Sequence, residues 1–109
     1  MLNIRSTVKL AWVYGDETSQ FPEEMPLYEL FRDETRYGWR VANTDEVSVI
    51  VVPDGEHAEL IVKSEEEYPG LASPIKISLN TSMKELREIA SIMAQRATME
   101  IIKRQEQFT

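Results

Sequence analysis

Cysteine is absent from the 109 residues, and histidine occurs once, as His57. The first absence excludes disulfide staples, thiolate zinc sites and a cysteine nucleophile. The second makes any histidine-based metal or acid–base chemistry depend on carboxylates gathered around a single ring. Glycine is scarce too. There are four in all, and neither G-x-G-x-x-G nor G-x-x-x-x-G-K-S/T occurs, so the phosphate-cradling loops of those motifs are missing. The longest aliphatic run is Val49-Ile50-Val51-Val52, far below the ~20 residues of a bilayer span. Arg5 and Lys9 interrupt the N-terminal stretch, which argues against a secretory signal. The expectation is a cytoplasmic chain with no membrane partner, cofactor, metal or catalytic residue.

What is present is enough for a core. Leu, Ile, Val and Phe make up about a quarter of the chain, above the roughly 20% level below which disorder is the default. A chain of this length fills one domain, taken as 1–109. Charge is plentiful and unevenly placed, with 19 acidic and 12 basic residues and a net charge of −7. From Asp16 to Glu67 there are 15 acids and four bases, while the remainder has four acids and eight bases. The acids come in clusters: Asp16-Glu17, Glu23-Glu24, Asp33-Glu34, Asp45-Glu46 and Glu65-Glu66-Glu67. Several adjoin Gly15, Pro22, Pro53 or Pro69, which puts them on loops. A field of one sign steers a partner of the other and repels nucleic acid. Simple solubility explains the same charge.

The hydrophobic period changes along the chain. Ile4 to Tyr14 alternates every second residue, the pattern of a strand with one buried face. Glu17 to Met25 has no period and reads as an acidic loop. Pro26 to Arg32 suits one or two helical turns behind a first-position proline, with a strand as the alternative. Tyr37 to Asn43 reads as a strand, Asn43-Thr44-Asp45-Glu46 as a turn. Val47 to Val52 is apolar on both faces, as in a central strand covered on both sides. Pro53-Asp54-Gly55-Glu56 reverses the chain, and Ala58, Leu60 and Val62 alternate with Glu59, Ile61 and Lys63 in the partner strand. Pro74 to Leu79 is a further short strand.

Ser82-Met83-Lys84-Glu85 matches the S-x-x-E capping box and opens a helix running to about Glu106. Leu86, Ala90, Met93, Ala97 and Ile101 form one apolar stripe, widened by Met83, Ile89 and Ala94. The fold class is therefore α+β: a mostly antiparallel sheet of four or five strands, one long C-terminal helix on one face, and a short helix near 26–32.

Ile92, Gln95, Met99 and Ile102 lie on a second side of that helix, where a monomer should be polar. They are the candidate interface of a two-fold dimer; cover by Phe21, Leu71 or Phe108 within the monomer is the alternative.

Asp54, Glu56 and His57 crowd a turn in sequence but diverge across it, so a solvated turn is expected there rather than a metal site. Glu65-Glu66-Glu67 lacks the D-x-D-x-D-G loop and terminal Glu of a calcium site. The functional expectation is a small acidic non-enzymatic protein-interaction module, such as an inhibitor, an immunity-type protein or a phage or bacterial accessory factor. It would meet a basic partner through Asp16, Glu17, Glu23, Glu24, Asp33, Glu34, Glu65, Glu66 and Glu67. Two alternatives stand beside it. One is a nucleic-acid-binding domain using the basic N-terminal strand and helix against the Trp39 region, where Arg36, Tyr37, Trp39 and Arg40 are the most suggestive cluster. The other is a small carboxylate enzyme with His57 as acid–base.

Overall fold

The computed structural model describes residues 17–32 and 37–107. The expected strand from Ile4 to Tyr14, and with it Asp16, Asp33, Glu34, Arg36 and Phe108, lies outside those residues. The described chain is an α+β arrangement of six elements: α1 (Leu27–Leu30), β1 (Trp39–Asn43), β2 (Val47–Asp54), β3 (His57–Ser64), β4 (Ile75–Ser78) and α2 (Met83–Gln107). Among the described residues the sheet runs β1-β2-β3-β4 and every pairing is antiparallel.

The β2–β3 hairpin sets the register of the sheet. Gly55 sits at its tip with a φ of 64°, a conformation that costs a residue with a Cβ and costs glycine nothing. From that tip Asp54 pairs with His57, and the ladder continues without a slip to Val47 opposite Ser64. Period-two alternation then places Val47, Val49, Val51, Ala58 and Leu60 on one face, where all are buried. β2 is central, as expected, but its two faces are unequal. Ser48, Ile50 and Val52 on the outer face are only half-buried, and they border a cleft of about 640 Å³ with Arg40, Ile61 and Lys63.

β1 begins at Trp39, two residues later than its expected start, and contains a bulge. Arg40 pairs with Ile50 and Ala42 with Val49, so Val41 is the extra residue. The bulge lets Val41 and Ala42, adjacent in sequence, both be buried. Alternation alone would send one of them to the other face. Gly38 precedes the strand because its backbone runs close over β2: a Cβ there would come within 3.0 Å of Val52 and 3.1 Å of Ile50.

α2 crosses the buried face and packs on β1, β2 and β3. Of its expected stripe, Leu86, Ala90, Met93, Ala97 and Ile101 are buried alongside Met83 and Ala94, and Ile89 packs half-buried against the core. Fully burying a Leu or Ile is worth about 1.5–3 kcal/mol, and the small alanines between them let the helix approach the sheet. The start of the helix is satisfied by the chain itself. Glu85 N–H donates to the Ser82 hydroxyl at 3.2 Å, Met83 N–H to the Met25 carbonyl and Lys84 N–H to the Glu23 carbonyl. These are donors that a helix leaves without intrahelical partners.

α1 is a single turn, as the helical reading of 26–32 had it, with Pro26 standing at the N-cap rather than at the first helical position. Its N-terminal N–H groups donate to Thr81 and Leu79 carbonyls, and Leu27 and Leu30 enter the core.

Candidate functional site

Three of the acidic clusters fall within the described residues, and one flank of α2 holds the segments that carry them. At ~100° per residue, Arg87, Thr98 and Gln105 share one side of the helix, beside the core stripe. Each reaches a different acid-bearing segment. The Arg87 guanidinium donates to the carbonyl of Thr18 and, at 3.1 Å, to that of Phe21, fixing the turn between Glu17 and Glu23-Glu24. Thr98 meets Thr44, oxygen to oxygen, at 2.7 Å, in the turn that carries Asp45-Glu46. Gln105 lies 3.5 Å from the Tyr68 hydroxyl, at the outer limit of a hydrogen bond, just past Glu65-Glu66-Glu67. Arg104 adds a bond to the Pro69 carbonyl at 2.9 Å from the core side.

The Thr44 contact has a definable direction. Its hydroxyl already accepts N–H bonds from Glu46 at 3.0 Å and Val47 at 3.1 Å. With both lone pairs occupied, its proton goes to Thr98. Thr44 and Thr98 are both buried, so this is a fully enclosed polar pair that orients the β1–β2 turn against the helix. The sequence marks Thr44 only as a turn residue; its partner 54 positions away follows from how the helix crosses the sheet.

The hairpin register gathers charge that is far apart in the chain. Val47 is opposite Ser64, so the next positions outward bring Glu46 toward Glu65. A shallow cleft of about 350 Å³ there is bordered by Asp45, Glu46 and Glu65, with Lys63 the one cation among its lining residues. Like charges facing across a ladder end are destabilising. Asp45 and Glu46 were not among the expected partner-binding residues, although counting outward from the Gly55 tip would have placed them beside Glu65.

The other expected site residues are placed as follows. Glu17 is half-buried, and its carboxylate accepts the Arg40 backbone N–H at 2.9 Å. That bond gives it a structural task. Glu23, Glu24, Glu65, Glu66 and Glu67 are exposed. No group of three or more His, Asp or Glu able to hold a metal ion occurs among the described residues, and no described helix is long and apolar enough to cross a membrane. His57 opens β3 and is exposed, opposite Asp54 and Ser78 in the ladders.

Trp39 makes an edge-to-face contact with Phe21, with ring centroids 5.6 Å apart, and Tyr68 packs on the core. Tyr28 and Tyr37 are exposed on separate segments. Ile92 and Met99 are 50% and 55% exposed, and Ile102 is half-buried. Phe21 and Leu71, two of the residues named as alternative cover, pack against the core.

No family model, curated protein or solved structure matches this chain.

Proposed function

We propose that this protein is a small, acidic, non-enzymatic interaction module of the cytoplasm that binds a basic surface on another protein and works as a homodimer through the outer side of α2. The observation behind this reading is the flank of α2, where Arg87, Thr98 and Gln105 each reach an acid-bearing segment. Arg87 and Gln105 are 18 residues apart, so these segments are tied along ~27 Å of one helix. Loops kept only for solubility have no need of such anchors. A partner with complementary charge spaced along a similar length would meet a preformed strip, and the acids would raise its association rate more than its final affinity.

A pull-down tests this with two baits, the native chain and a variant in which Glu65, Glu66 and Glu67 are replaced by Lys. The expected partner is a basic protein retained by the native bait at low salt, released as salt rises, and not retained by the variant. If the two baits capture the same proteins with the same salt dependence, the acidic strip is not a recognition surface. A gel shift at low salt that retains DNA or RNA would replace this reading with the nucleic-acid one.

A further inference from the structure

The outer side of α2 has a symmetry that fixes how two copies would meet. Ile92, Met99 and Gln95 lie roughly opposite the core stripe at ~100° per residue, so packing on the sheet requires none of them. Glu88 lies on the same side toward the helix start and Lys103 toward its end. In an antiparallel helix pair, residues whose numbers add to a constant face each other. One choice of that constant sets Ile92 opposite Met99 and Glu88 opposite Lys103.

Charge elsewhere favours this surface over others. α2 carries five basic and four acidic residues, so the net charge of −7 belongs entirely to the rest of the chain. Two copies meeting along α2, the longest of the described elements, therefore bring together surfaces with no excess of acid.

We infer that a second copy of this chain packs antiparallel on the outer side of α2, about a two-fold axis between Gln95 and Arg96; this rests on the pairing proposed above and specifies its register. Ile92 packs on Met99 of the second copy, and Glu88 pairs with Lys103 of the second copy, twice over by symmetry. The two Gln95 amides meet near the axis. Each has a donor and an acceptor, so they can bond to each other, as a central polar residue does in register-fixed coiled coils. Glu85 and Glu106 face each other only at the exposed ends, where screening is greatest. With two exposed apolar side chains per copy, the association is of modest strength, with a Kd on the order of micromolar.

Sedimentation equilibrium over a concentration series tests the inference on the full chain. A monomer–dimer equilibrium is expected. Ile92→Glu should raise the dissociation constant at least about tenfold, and Glu88→Lys or Lys103→Glu alone about three- to tenfold. The double swap Glu88→Lys/Lys103→Glu should restore native dimerisation. Circular dichroism and urea midpoints keep the readout honest, since none of these positions is buried. A native chain that stays monomeric to high concentration overturns both the pairing and its register. A dimer indifferent to Ile92→Glu overturns the interface, and a dimer broken by Ile92→Glu but not rescued by the double swap overturns the register alone. Binding of a basic partner by the acidic strip does not depend on any of these outcomes.

Discussion

The two broad sides of α2 differ in how much of their sequence the fold explains. On the sheet side every large residue is accounted for, since Leu86, Met93 and Ile101 fill the space over β1, β2 and β3, and Ala90, Ala94 and Ala97 set the distance. On the outer side Glu88, Ile92, Gln95 and Met99 face solvent, and packing within the monomer asks nothing of them. Between the two runs the polar flank of Arg87, Thr98 and Gln105, which spends its hydrogen bonds on loops rather than on the sheet. One helix thus carries a side chosen by folding, a flank chosen by loop placement and a side chosen by neither. The third is where selection for association can show, because substitutions there are otherwise nearly free.

The most severe break of that contrast is on the sheet side. Leu86 is fully buried, and Leu86→Ala should cost about 3 kcal/mol in urea-induced unfolding, from lost transfer energy and the cavity left behind. A loss below about 1 kcal/mol would mean that the helix is not seated on the sheet as described.

The flank should give intermediate effects, of two kinds. Arg87→Met removes a charged donor from two loop carbonyls and should cost about 2 kcal/mol. Amide exchange would quicken first in residues 17–24, ahead of the sheet. Thr98→Val keeps the shape but leaves the buried Thr44 hydroxyl without its acceptor, for about 1–2 kcal/mol, whereas Thr98→Ser should cost much less. If Val and Ser behave alike at this position, the Thr44–Thr98 bond is not what holds the β1–β2 turn.

How legible each region was in the sequence follows the same division. The core stripe, the cap at Ser82 and the hairpin around Gly55 depend on residues close together in the chain, and periodicity finds such features. The β1 bulge was not legible, because Val41-Ala42 within a short apolar strand offers no sign of which residue is extra. The uneven cover of β2 was not legible either: Ile50 and Val52 have the same composition as buried positions, and their exposure depends on what crosses above them. The flank anchors join residues 54 and 66 positions apart. Nothing local in Arg87 or Thr98 distinguishes a loop anchor from an ordinary surface residue of a helix. The closeness of Glu46 to Glu65 is intermediate. It needed only the turn position and a count of residues, since an unslipped hairpin turns sequence distance into geometry.

The smallest effect separates folding from recognition most cleanly. Glu46 and Glu65 both line the cleft at the open end of the hairpin, where Lys63 is the one cation. Glu46→Lys replaces one of the like charges lining that cleft with an opposite one and should raise stability by a few tenths of a kcal/mol, read as a small upward shift of the urea midpoint that shrinks with added salt. The same substitution should weaken capture of a basic partner. A gain in stability together with a loss of binding would show that the repulsion is retained for the partner's sake. A gain with binding unchanged would return Asp45-Glu46 to the role of a soluble turn and confine the recognition strip to the remaining acids.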